Sequence, residues 1–115
     1  MTKRTKLLQF NKNVCMQILQ RDRGCFFCKR GIHMGKVPSD SRDILDIMHV
    51  VNKSQGGLGV VQNGVCGCRG HHSLMDNSEY NDEMRTMTED YLKILYPGWT
   101  RESVTYGKWN GFKFK

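Results

Sequence analysis

Long apolar runs are missing from this sequence. No stretch approaches the roughly 20 apolar residues that a membrane-spanning helix needs. The opening Met1-Thr2-Lys3-Arg4 has no apolar segment of the kind a secretory leader carries. Neither a membrane span nor export is therefore expected. Apolar residues are scarce throughout, at 38% of 115 residues. A chain of this size buries about two-thirds of its unfolded surface, so a core drawn from so few apolar side chains would be marginal. Small domains of this kind often add a metal or disulfides. The five cysteines are an odd number, which excludes complete internal disulfide pairing. In a reducing cytoplasm, clustered cysteines more often hold metal. There is no internal repeat, and the βαβ pattern that a redox Cys-x-x-Cys motif needs is also lacking.

Acidic residues are the minority charge: 18 Lys plus Arg stand against 11 Asp plus Glu, a net charge of +7. That excess suits a polyanionic partner, nucleic acid being the commonest. The basic ends (Lys3, Arg4, Lys6 and Lys108, Lys113, Lys115) equally suit a solvated surface.

Leu7, Leu8, Val14, Ile18 and Leu19 recur at helical spacing and predict a helix over 7–20, ended by Gly24. Residues 31–43 have the Gly, Pro, Ser and Asp content of a surface loop. The apolar run 44–51, interrupted only by Asp46 and His49, suits a strand. Gly56, Gly57 and Gly59 mark turns, and Val60-Val61 suits the start of a second strand. A short helix is expected over 70–76 and a longer one over 82–96, with Asn81 as N-cap and Pro97-Gly98 as its stop. Met84, Met87, Tyr91, Leu92 and Leu95 form the apolar stripe of that helix and point to the core. Trp99, Val104, Tyr106, Trp109, Phe112 and Phe114 make an aromatic, basic tail, for which packing on the domain is favoured over contact with DNA. One domain spans 1–115: a helical arm over 1–24, a central unit over 25–80, and a C-terminal helix and tail over 81–115.

Two ligand pairs stand out. Cys25-x-x-Cys28 and Cys68-x-x-His71 each put two metal ligands on one tight turn, the usual way of assembling a tetrahedral zinc site. A structural Zn²⁺ on Cys25, Cys28, Cys68 and His71 is therefore expected. Cys66-x-Cys68 is an alternative second pair. The matching two-residue gap favours His71, leaving Cys66 as a packing residue. Cys15 suits a small buried hydrophobe, and His33 is a weaker ligand candidate on a loop.

The remaining pieces are Asp46, His49, Gly56-Gly57, Asn63, His72 and Asp76. Phosphodiester hydrolysis needs an activated water, a Lewis acid and something that aims the base. An imidazole titrating near neutrality suits the first task. His72 and Asp76, four apart, share one helix face and can share a divalent ion.

The segment His49-Val-Val-Asn-Lys-Ser-Gln-Gly-Gly…Asn63…Cys-Arg-Gly-His-His72 resembles the HNH endonuclease motif, also called the ββα-metal or His-Me finger. The wider pattern over residues 25–99 is similar to small phage HNH endonucleases encoded near DNA-packaging genes. The resemblance implies a small α+β fold: a ββα-metal core of two short antiparallel strands and a helix, with a zinc knuckle and flanking N- and C-terminal helices. It implies His49 as general base, Asn63 as the residue that holds the loop and the His49 backbone, and His72 as ligand of a catalytic ion with Asp76. That ion is expected to be Mg²⁺ or Mn²⁺, with Ni²⁺ or Zn²⁺ as alternatives. Lys53 and Arg69 are the expected DNA contacts. Double-stranded DNA, terminase or portal packaging proteins and a second copy of the chain are the implied partners, in the cytoplasm of a host cell. One departure stands out: most members carry Asp or His immediately before the base, and this chain has Met48, a thioether that suits a hard ion poorly. Asp46, two residues earlier, is the candidate to take over that ligand role. The competing expectation is a zinc-knuckle DNA-binding adaptor of a packaging complex, whose nuclease site has decayed.

Overall fold

In the computed structural model, which describes residues 2–107, the chain is a small α+β domain. Its elements run α1 (Lys3–Leu8), α2 (Lys12–Asp22), α3 (Phe26–Lys29), β1 (Leu45–His49), β2 (Gly64–Cys68), α4 (Arg69–Asn77) and α5 (Asn81–Leu95). Among these there is no helix long and apolar enough to cross a membrane.

The single helix expected over 7–20 is instead two. Asn11 turns its side chain onto the Val14 N–H at 2.9 Å and starts α2 afresh, while Thr2 does the same for α1. A strong local cap thus overrides continuous apolar spacing. α2 ends through Arg23 in the left-handed region (φ 55°) and Gly24 (φ 118°). Residues 31–43 form short 3-10 turns at Met34–Lys36 and Ser39–Asp43.

β1 pairs antiparallel with β2, from Leu45 opposite Cys68 to His49 opposite Gly64. The second strand is thus not at Val60-Val61, as expected, but at Gly-Val-Cys-Gly-Cys, a segment with poor intrinsic strand propensity. Pairing and burial override it, since all five of its residues are buried. Gly67 has a specific reason to be there. A Cβ on it would lie 2.5 Å from the Met48 sulfur, so its absence lets Met48 fill the core.

The core gathers Phe26, Phe27, Met48, Val65, Met84 and Leu92 with Trp99 and Val104 from the chain after α5. α5 begins at Asn81, with Tyr80 as a cap that makes no side-chain bond; Asn81 donates to the Met75 carbonyl instead of capping the helix. Its buried face is Met84, Arg85, Thr88 and Leu92, whereas Leu95 is exposed. Of the expected aromatic tail, Trp99 is buried and donates to the Gln62 carbonyl at 2.7 Å, and Val104 is fully buried. Trp109, Phe112 and Phe114 lie outside the described residues.

A buried carboxylate holds the arm to the rest. Asp22 accepts from Arg21 Nε and one terminal Arg21 nitrogen (2.7 and 3.0 Å), the Tyr91 hydroxyl (2.5 Å) and the Cys66 N–H (2.8 Å), joining α2, α5 and β2. Arg21 extends the junction to the Val61 and Gly64 carbonyls.

Candidate metal centre and candidate active site

The two knuckles are built alike. Cys25 is the N-cap of α3 and accepts the Cys28 N–H on its sulfur; Cys68 is the N-cap of α4 and accepts the His71 N–H. In each, a sulfur takes the role a Ser or Asp oxygen plays at other helix starts. The second ligand then falls on the first turn, facing the same way.

The four ligand atoms lie within 4.8 Å of one another. Cys28 Sγ and Cys68 Sγ are 3.8 Å apart, and His71 Nδ1 is 3.6, 3.5 and 3.2 Å from the sulfurs of Cys25, Cys28 and Cys68. A tetrahedron with ordinary zinc bond lengths has S–S edges of about 3.8 Å and S–N edges of about 3.6 Å. The donor set therefore fits Zn²⁺ in type and in size. His71 donates Nε2–H to the Ile32 carbonyl at 2.6 Å, which leaves the Nδ1 lone pair for a metal. Burial, with Cys25 and Cys68 nearby, pushes the Cys28 thiol up to about 12. A cation in the cluster reverses that preference by stabilising thiolate. Cys66 lies outside the cluster, fully buried, so it does not replace His71. Cys15 is half-buried on α2, and His33 contacts Glu83 at 2.5 Å while stacking on Tyr80.

On another side of α4, a cavity of about 240 Å³ is lined by Ile47, His49, Asn52, Lys53, His72 and Asp76. His49, the last residue of β1, donates Nε2–H to the Leu8 carbonyl at 2.8 Å, and its ring lies 4.2 Å from the Phe10 ring. With that proton fixed by a backbone acceptor, Nδ1 is the nitrogen with a free lone pair. Burial, helped by the charges of Lys53 and His72, lowers the His49 pKa from 6.5.

His72 sits between two carboxylates. Its Nδ1 is 3.0 Å from Asp46 Oδ2, and its Nε2 is 3.2 Å from Asp76 Oδ2. Asp46 is itself clamped by Arg69, whose Nε and second terminal nitrogen both lie at 3.1 Å; these hydrogen bonds lower the Asp46 pKa. Asp46 and Asp76 thus address opposite edges of one imidazole. Met48 is fully buried in the core.

Asn63 is fully buried beneath the turn after β1. Its amide donates to the Val51 and Leu58 carbonyls (3.1 and 2.9 Å), and its Oδ1 accepts the Val51 N–H at 2.8 Å. Its backbone carbonyl accepts the Val50 N–H, next to His49. Gly57 closes that turn by donating to the Asn52 carbonyl.

Two participants escaped the sequence analysis. The Leu8 carbonyl is a backbone atom and has no sequence signature. Arg85 is buried and reaches both the cavity carboxylate Asp76 and the carbonyls of His49 and Val50. Its signal was a charge lying on the buried face of α5, beside Met84 and Thr88.

No family model, no curated protein and no solved structure matches this chain.

Proposed function

We propose that this chain is a metal-dependent endonuclease of the HNH type, with β1, β2 and α4 as its ββα-metal unit. One observation carries the proposal: His49, with Nδ1 left to accept a proton, lines the same cavity as the His72–Asp76 pair. His72 Nε2 and Asp76 Oδ2, 3.2 Å apart, are spaced as neighbouring ligands of a hard ion whose bonds are about 2.1 Å. These two side chains would hold the ion, with Mg²⁺ or Mn²⁺ favoured. Asp46 acts through His72, accepting Nδ1–H and aiming Nε2 at the ion.

Bound there, the divalent ion supplies Lewis acidity for the charge that develops on the phosphodiester and its leaving oxygen. His49 Nδ1 takes a proton from water as the water oxygen bonds to phosphorus, and the P–O bond to the leaving sugar oxygen breaks. Lys53 at the cavity and Arg69 at the start of α4 offer cations to backbone phosphates. Cys25, Cys28, Cys68 and His71 would hold a structural zinc that fixes α4 in place, apart from the chemistry. By the same resemblance, double-stranded DNA is the proposed substrate, terminase or portal proteins are the proposed partners, and the cytoplasm of a host cell is the proposed setting. One base and one ion cut one strand, so a double-strand break requires a dimer or two successive nicks.

Supercoiled plasmid nicking with Mg²⁺ or Mn²⁺ tests the proposal. His49→Ala should lower the rate by roughly 10²- to 10⁴-fold, with zinc content unchanged and the cooperative fold kept at a lower melting temperature, since the bond to the Leu8 carbonyl is lost. A His49→Ala protein that nicks at the wild-type rate removes His49 from the base role. The second reading, a zinc-knuckle DNA-binding adaptor, is favoured by the burial of Met48 at the position where the HNH motif carries a ligand. Wild-type protein that retards DNA yet nicks under no divalent ion would establish it.

A further inference from the structure

We infer that Arg85 is a positioning residue for the catalytic ion, fixing which oxygen of Asp76 the ion receives and tying that carboxylate to the strand that carries His49. The inference rests on the ion site proposed above. Arg85 lies on α5 and is 8% exposed. A guanidinium this buried needs acceptors on its donor edge and a counter-charge. One terminal nitrogen donates to the His49 carbonyl at 3.2 Å and to the Val50 carbonyl; the other donates to Asp76 Oδ1 at 3.3 Å. Among the described residues, Asp76 is the only carboxylate paired with it.

Two consequences follow from that geometry. With Oδ1 held by Arg85, Asp76 presents Oδ2 towards His72 Nε2, so the ion receives one oxygen in a set direction. The same planar fork grips the end of β1, so the base and the ion ligand are registered through one rigid group rather than through two separate elements. Lysine cannot reproduce this, because a single ammonium on a flexible stem lacks the two-armed donor edge.

Mn²⁺ binding to the purified protein, followed by the electron paramagnetic resonance of free Mn²⁺, tests the inference without requiring cleavage. Arg85→Lys should retain zinc and a cooperative fold at a lower melting temperature, yet bind Mn²⁺ roughly 10- to 100-fold more weakly, the range for loss of a group supporting a metal ligand. Added to Asp76→Asn, the same substitution should weaken Mn²⁺ no further, because its effect passes through that carboxylate. A merely structural arginine would lower stability and leave this coupling at zero. Arg85→Met serves as a second variant, expected to lose Mn²⁺ affinity at least as far. Wild-type affinity in a folded Arg85→Lys protein overturns the inference, even if Arg85→Met fails to fold. Mn²⁺ binding that His72→Ala and Asp76→Asn leave unchanged also overturns it. If Arg85→Lys weakens Mn²⁺ while no version nicks DNA, the positioning role stands and the nuclease proposal falls.

Discussion

At His49 two local forces converge. The Leu8 carbonyl takes the Nε2 proton, and burial disfavours the charged ring. Both leave a neutral imidazole with Nδ1 free at pH 7. The sign of the pH dependence follows directly. If the chain is the proposed nuclease, its nicking rate should be level above the ordinary imidazole value of 6.5 and fall on acidification, with its midpoint below 6.5. A pH–rate profile checks this, and a midpoint above 6.5 would contradict the burial argument. Stability moves the same way, because the unfolded chain takes up this proton at a higher pH than the folded one does. Some of this scale was readable in the sequence and some was not. The zinc-compatible ligands were readable because each pair lies within a single helical turn, where spacing alone fixes geometry. His72 and Asp76 were readable for the same reason. The roles of Asp46 and Arg85 were hidden because they depend on which edge of a ring or carboxylate a distant group meets, and spacing does not carry that.

Between elements, Asp22 is the junction that matters most. It accepts bonds from α2, α5 and β2, and burial together with this carboxylate pushes the Tyr91 hydroxyl up to about 12, so it remains a donor. Asp22→Ala leaves Arg21, the Tyr91 hydroxyl and the Cys66 N–H without their shared acceptor. A loss of about 3–5 kcal/mol is expected, measurable by urea unfolding of the zinc-loaded protein. A loss under about 1 kcal/mol would show the junction to be dispensable. The elements the sequence missed share a cause. The break at residues 9–11 depends on the Asn11 cap, and β2 depends on β1 to offset its two glycines. Apolar periodicity registers neither a cap nor a pairing partner. The face of α5 was half legible: Met84 and Leu92 are buried as expected, but Arg85 and Thr88 share their face because polar partners await them there.

Across the whole molecule, the Cys25, Cys28, Cys68 and His71 cluster joins α3 to the start of α4, between segments some forty residues apart. With so small an apolar core, metal binding and folding should be one process. Metal analysis should find about one zinc per chain, and stripping it should abolish the cooperative fold, because structural zinc contributes on the order of 10 kcal/mol. Circular dichroism after chelation checks this; a zinc-free protein that melts cooperatively at the original temperature would refute it.

Five consecutive residues, Cys68 to His72, act as a ruler whose length serves two centres at once. Cys68 caps the helix with its sulfur, Arg69 clamps Asp46, Gly70 admits Ser41 and Val37 where a Cβ would stand 2.3 Å from each, and His71 and His72 point to different centres. One residue inserted here would rotate everything beyond it by about 100° around the helix axis, detaching both histidines from their partners at once. The stretch is therefore closed to insertion and deletion. A lineage of such proteins should drift in loop length and keep this spacing fixed.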